Sequence, residues 1–459
     1  MDSKATQLSL LPEVERRVEA DDWTFNGAST RELTHCYHDY PARMIPQVAA
    51  KLLDMFAAVD VTLLFDPYCG TGTSLVEGLI RGINVIGTDL NPLARLIAQV
   101  KTTAYEPNVL DRYVSKFNKY ILSNPVPKSD GKFQVDGITR LDFWFKPSVV
   151  AKLFNIKSFI DDISDEKIRQ FFQVAFSETV RESSNTRNDE FKLYRYNEET
   201  LRKFNPNVYG IMAQKLTRNR AGLGKFLSLL NHINRVPTSL VYGFNSVAGI
   251  PEEMVPPESA DIVVTSPPYG DSHTTVAYGQ FSRLSSAWLG FEDAGKIDSI
   301  LMGGKVHTKI VPEFPCDQLN EALTRIAKAD EKRAWEVASF YVDYFKSIKH
   351  VAGVVKPGGY ACYVVGNRKV KGVVLPTDIV TKEFFERGGF EYIDTFYRTI
   401  PNKRMPLRNS PTNAIGKVDS TMVQEYIVVV RRKITRAVME KARPRYVKDK
   451  AKRRKSRRK

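Results

Sequence analysis

Cysteine is scarce in this chain, and its few copies stand apart. Cys36, Cys69, Cys316 and Cys362 are the whole complement, with no CxxC pair among them. That scatter points away from a zinc site or a disulfide framework and makes a reducing cytoplasm the expected compartment. No metal is expected. No apolar run approaches the ~18–20 residues that span a bilayer, so no membrane partner is expected. The opening "MDSKATQLSLLPEVERR" mixes charges and lacks the basic-then-apolar layout of a secretory signal. Also missing is GxxxxGK[ST], which argues against a Walker-type triphosphate site.

What is present suits a soluble globular protein. Of 459 residues, 42% are hydrophobic and 26% charged, enough for one elaborated domain or two. The formal charge of +16 is unevenly spread. The last nineteen residues, "KARPRYVKDKAKRRKSRRK", carry +11 of it, with twelve Lys/Arg against one Asp. Such a run repels itself and has little apolar surface to bury, so 433–459 is expected to be a disordered basic tail. Attraction to a nucleic acid through counterion release is the reading preferred over a merely solubilising tail.

Alternating strand-like and helix-like segments run through 61–100, "VTLLFDPYCGTGTSLVEGLIRGINVIGTDLNPLARLIAQV". "VTLLF" and "NVIGTDL" read as buried parallel strands, each followed by a helix, the second with Asn91 as N-cap and Pro92 in its first turn. This βαβα unit implies a parallel α/β sheet. Later, "SADIVVTSPPYG" supplies a strand, Trp335–Ala352 a helix, and "KPGG" a turn into the strand "YACYVVGN". "FEYIDTFYRTI" and "EYIVVVRR" read as a closing strand pair. The alternation is lost over 105–238, which is expected to be an inserted lobe rather than sheet core. Residues 1–30 are set apart as an N-terminal arm.

Two turns carry the chemistry. In "DPYCGTGTSLVEG", glycines between a strand and a helix let a ligand approach the backbone. Only Gly70 and Gly72 fit a dinucleotide fingerprint, because Leu75 stands where the third glycine belongs. Asp89 ends the next strand near the ~20-residue offset at which a carboxylate holds a ribose diol. Turn plus acid predicts a nucleoside-containing ligand. In "TSPPYG", paired prolines force a rigid exit from a strand on the sheet edge where open α/β sheets place ligands. Ser266 Oγ and the Pro267 carbonyl can accept hydrogens from an exocyclic base amine, stiffened by Pro267 and Pro268, while Tyr269 stacks on a base swung out of the helix.

"DPYCGTGT" together with "TSPPYG" resembles the AdoMet-dependent DNA amino-methyltransferases, in particular their cytosine-N4 branch with its SPPY signature. "HDYPARMIP" (38–46), "GTDLNP" and "KPGGY" extend the likeness over 31–104 and 239–432. The resemblance implies a seven-stranded, Rossmann-like methyltransferase sheet, mostly parallel with one antiparallel strand. It implies that Asp66, Tyr68, Gly70, Gly72, Asp89 and Asn91 bind S-adenosyl-L-methionine, joined by Tyr40, Pro41 and Arg43. It further implies that Ser266, Pro267, Pro268 and Tyr269 form the catalytic clamp. Asn245 in "VYGFNS" replaces the acid that the family often carries after its third strand.

The expected activity is sequence-specific methylation of cytosine N4 in double-stranded DNA, with base flipping, as the modification enzyme of a restriction–modification system with a cognate endonuclease. The enzyme is expected in the cytoplasm, nucleoid-associated through its DNA. Adenine-N6 chemistry stays open because one residue separates the signatures, and an RNA base amine is a further alternative. A cytosine-C5 enzyme would need a thiolate, for which "FPC" at 314–316 offers only Cys316. Within the insert, "TVRESSNTRNDEFKLYRY" supplies Arg181, Asn185, Arg187, Lys192 and Arg195 as candidate DNA contacts. Asp271 and His273, just past the clamp, are candidates for proton acceptor and phosphate partner.

Overall fold

A computed structural model describes residues 23–58, 60–124, 133–188, 192–270, 277–292, 295–307, 309–400, 408–409, 419–420 and 424–434. Most of the expected N-terminal arm, the basic tail beyond Ile434, Asp271 and His273 lie outside the described residues. Seven strands form one sheet: β1 (Leu63–Asp66), β2 (Asn84–Thr88), β3 (Ser239–Tyr242), β4 (Ala260–Thr265), β5 (Val355–Val365), β6 (Phe390–Thr399) and β7 (Gln424–Arg432). Their order is β3-β2-β1-β4-β5-β7-β6. The first five pair in parallel, and β7 runs antiparallel to both neighbours. The methyltransferase-type sheet expected from the motifs is the one observed.

Period-two alternation divides the core into two layers. Leu64, Ile262, Val264, Cys362, Val364, Ile427 and Val429 face one layer. Phe65, Val263, Ala361, Tyr363, Val365, Val428 and Val430 face the other. The first layer is covered by α1 (Pro46–Phe56), α2 (Thr73–Leu79), α3 (Pro92–Lys101) and the helices of the insert. The insert folds as α4 (Pro107–Ser123), α5 (Pro147–Asp161), α6 (Glu166–Ser183) and α7 (Val208–Leu230), with α8 (Tyr278–Trp288) packed on α6. The second layer is covered by α9 (Asp317–Ala329), α10 (Glu331–Val354) and α11 (Thr377–Arg387).

Among the described residues the insert adds no strand to the sheet, and Phe171, Phe172 and Phe176 of α6 are fully buried in the cluster that also holds Leu64 and Ile262. They pack on other aromatic rings there: Phe171 meets Tyr37 and Tyr105 edge-on, and Phe176 meets Trp288 of α8. "KPGG" is not a turn ahead of the strand, because β5 already begins at Val355. A register shift lets Ala260 pair with Val355 and Ile262 with Tyr360, so the extra residues are absorbed as a bulge. Gly358 takes φ +84 there, and a Cβ on Gly359 would sit 2.7 Å from the Asp261 carbonyl.

Candidate active site

Because β1 and β4 are parallel neighbours, their carboxyl ends emerge side by side. Asp66, the last residue of β1, knots them together. Its Oδ1 accepts from Tyr68 N at 3.1 Å and from Thr265 Oγ1 at 2.5 Å, and its Oδ2 accepts from Ser74 Oγ of α2. One buried carboxylate therefore links the donor-side turn, its helix and the strand that leads to the proline corner. With these acceptor sites occupied, Asp66 is a positioning residue.

The two glycines of the turn differ in purpose. Both have left-handed backbones, φ +50 at Gly70 and +75 at Gly72. A Cβ on Gly72 would lie 3.0 Å from Ala98 Cβ, so this glycine lets α2 approach α3. A Cβ on Gly70 would meet nothing within 4 Å, since that face opens to the cleft. Asp89 closes the turn from the end of β2: its Oδ2 accepts from Gly70 N at 3.1 Å and its Oδ1 from Asn91 N at 2.7 Å. Asn91 caps α3 as expected, accepting from Leu93 N at 3.1 Å. Its amide donates to Tyr40 Oη at 2.9 Å and Ser282 Oγ at 3.0 Å. The Asn91 side chain is thus spent on protein, and it shapes the cleft wall instead of offering a free group.

The cleft above the turn holds about 960 Å³ of empty space, open to solvent at its mouth. Tyr40, Pro41 and Arg43 form one wall, Asp66, Tyr68, Gly70 and Asp89 the floor, and Ser266 and Pro268 the far side. Arg43 is fixed by donating to the His35 and His38 carbonyls at 3.0 and 3.2 Å. Asn245 also reaches the cleft, its Oδ1 accepting from Val247 N at 2.9 Å. Sequence reading missed Tyr278, which stacks on Tyr40 with ring centres 5.9 Å apart. It missed Phe244, Leu301 and Met302 as well, which also line the cleft.

Tyr269 is placed differently from expectation. It does not line this cleft. It sits instead beside Gly270, Phe340 and Arg368. Its hydroxyl lies 3.3 Å from Ser266 Oγ and 2.8 Å from Glu425 Oε1. Cys316, the alternative nucleophile, is buried at the start of α9 in the opposite layer, and burial pushes its thiol up to about 12. It lies off the cleft, so a thiolate mechanism has no support here.

Comparison with known proteins decides the family. Over 428 residues the chain is 43% identical to type II methyltransferase M.MvaI of Kocuria varians, covering 90% of this chain and 94% of that one. The chain belongs to the type II DNA methyltransferases. It is also 21% identical over 422 residues to type II methyltransferase M.BsoBI of Geobacillus stearothermophilus, with 80% and 81% covered. Among solved structures, the rRNA methyltransferase aviRa of Streptomyces viridochromogenes aligns at 12% identity and TM-score 0.30, covering 86% of this chain and 88% of that one. No protein-family model matches the chain.

A methyltransferase of this family takes its methyl group from AdoMet, and the cleft suits that donor. Gly70 opens onto it, Asp89 lines its floor, and Thr71 Oγ1 is buried on the same wall with no partner among the described residues. Burial pushes the carboxyls of both Asp66 and Asp89 up to about 6. The ionised form of Asp89 is the one that accepts from Gly70 and Asn91 and that would accept from ribose hydroxyls. A donor held by Asp89 would therefore bind fully only about a pH unit above 6 and progressively less as pH falls through it. AdoMet titrated calorimetrically should bind about tenfold more weakly at pH 5 than at pH 7.5. A pH-independent Kd would remove Asp89 from the donor site. The donor-free enzyme has the opposite slope: these raised carboxyls make it less stable as pH rises from about 4 to 6.

The candidate DNA contacts divide sharply. Arg181 is buried, its guanidinium 4.0 Å over the Phe281 ring, and burial lowers it to about 10. Phe281 in turn meets Tyr40 edge-on at 5.4 Å, so Arg181 backs the cleft wall. Asn185 is buried and donates to the Phe143 carbonyl at 3.1 Å. Arg195 donates to that same carbonyl, stacks on the Phe143 ring and pairs with Glu198. Base reading by Arg181 and Asn185 is corrected to a structural role, because both are buried and engaged by packing and hydrogen bonds, whereas Arg195 stays partly exposed. Arg187 and Lys192 are exposed.

Proposed function

We propose that this enzyme methylates the N4 amine of a cytosine flipped out of double-stranded DNA, as the modification partner of an endonuclease that recognises the same site. The observation that carries this reading is that Ser266 and Pro268 border the very cleft floored by Gly70 and Asp89. When bound, AdoMet supplies an electrophilic methyl carbon. The chain's own residues do the rest. Asp89 and the Gly70 backbone orient the donor, and Tyr40, Pro41 and Arg43 wall it in. Ser266 Oγ and the Pro267 carbonyl accept the hydrogens of the target amine. An exocyclic amine is a poor nucleophile because its lone pair is delocalised into the ring. Fixed acceptors pull the nitrogen toward tetrahedral geometry, and the proline pair spares reorganisation. The amine would take that methyl directly as the donor's carbon–sulfur bond breaks and the thioether leaves, and it would release one N–H proton to water, with no covalent bond to the protein.

Serine at the head of the corner favours cytosine N4 over adenine N6, where the family usually carries Asp or Asn. The exposed Arg187 and Lys192 on the insert are candidates for DNA contact there. Nucleoside mass spectrometry of DNA incubated with enzyme and AdoMet should show N4-methylcytosine. N6-methyladenine as the sole product, or modification of RNA alone, would overturn the assignment. Deleting residues 441–459 should flatten the dependence of log K on log salt by ~0.9 for each phosphate that the tail had neutralised, leaving the modified base unchanged. An unaltered slope would show that the tail does not touch DNA.

A further inference from the structure

A hydrogen-bond chain leads out of the proline corner toward the last strand pair. Ser266 Oγ lies 3.3 Å from Tyr269 Oη, and Tyr269 Oη lies 2.8 Å from Glu425 Oε1. The other oxygen of Glu425 is paired with the guanidinium of Arg398. Those two residues stand opposite each other on β7 and β6, with side chains only 14% and 8% exposed. Arg398 Nε is buried with no partner among the described residues, so its charge depends on Glu425 for compensation.

Direction follows from the chemistry of each member. An ionised carboxylate can only accept. Tyr269 must therefore give its one proton to Glu425, which leaves the phenol oxygen able to accept. The single proton of Ser266 is drawn to that oxygen, and the serine lone pairs are left for the cleft that Ser266 borders. An isolated serine has no such bias, because its hydroxyl rotates to suit either a donor or an acceptor.

We propose that the Glu425–Arg398 pair is a positioning device that fixes the hydrogen-bond polarity of Ser266. So polarised, the corner admits a base with an exocyclic amine and rejects one with a carbonyl at the same place. The inference rests on the reading that Ser266 grips the target amine. It adds a specificity-determining pair 156 and 129 residues away from Tyr269 in sequence. A site built around one hydrogen-bond polarity discriminates strongly against a ligand of the opposite one, since buried groups are then left unpaired.

The test uses the full-length enzyme with S-adenosylhomocysteine and two duplexes that differ at the mapped target position. One carries cytosine there and the other uracil, both opposite guanine; for an adenine target the pair is adenine and hypoxanthine. The readout is the ratio of the two dissociation constants, with thermal melting as a folding control. Glu425→Gln lets an amide donate to Tyr269 and reverse the chain. Tyr269→Phe keeps the ion pair and frees Ser266 to rotate. Both should narrow discrimination against the carbonyl base by about fivefold or more, with kcat down about tenfold and KM for AdoMet within about twofold. Wild-type discrimination in a folded Tyr269→Phe enzyme would overturn the device. A separate Ser266→Ala arm keeps the two readings distinguishable. If that variant methylates at the wild-type rate, the reading of the corner itself fails. If it is inactive while Tyr269→Phe discriminates normally, only the polarity device fails.

Discussion

Replacing Ser266 with alanine is expected to slow single-turnover methyl transfer by ~10²–10³-fold, with AdoMet binding within about twofold of wild type. The serine borders the cleft from the strand end next to the donor turn, yet none of its hydrogen bonds holds that turn together. What alanine removes is an acceptor at the amine, which matters most as the nitrogen leaves the ring plane. That loss falls on kcat rather than on donor affinity. Rapid-quench measurement with labelled donor at saturating DNA would read it directly. A rate within threefold of wild type, on the order of 1 kcal/mol or less, would place the amine elsewhere.

Asp89→Ala should act on the opposite half of the reaction. Two backbone N–H groups, from Gly70 and Asn91, converge on this one carboxylate. Its removal unties the turn and deletes the acceptor for the ribose. With hydrogen bonds to a charged group contributing ~1.5–3 kcal/mol, AdoMet Kd should rise by ~10–100-fold. Saturating donor should restore much of kcat. Calorimetric titration decides it, and unchanged affinity in a folded variant would mean that Asp89 holds only its own loop.

The two substitutions separate donor from acceptor because Asp66 joins sites that are otherwise built independently. Through Tyr68 N, Ser74 Oγ and Thr265 Oγ1 it sets the position of one strand end against the other. Part of this arrangement was legible in the sequence. Asn91 as a cap, glycines between a strand and a helix, and an acid at the end of β2 all follow from interactions within a few residues or from one βαβ unit. Other parts were not. Arg181 and Asn185 lie in a polar stretch that reads equally well as a solvated face, yet packing against Phe281 and the Phe143 carbonyl buries them. Nor does local pattern tell that Phe145, within the insert, packs on Trp288, with ring centres 5.8 Å apart.

What the chain's own order of residues determined was the alternation of strand and helix, the two turns, their ligand class and the family they signal. Each of these is written in local pattern, where backbone geometry and side-chain period act over a turn or two. The tertiary structure alone decided which residues border the cleft, that the insert shares a core with the helices on one face of the sheet, and that Tyr269 answers to Glu425. Those outcomes depend on strand order and cross-strand register, which bring together groups more than a hundred residues apart that share no local signal.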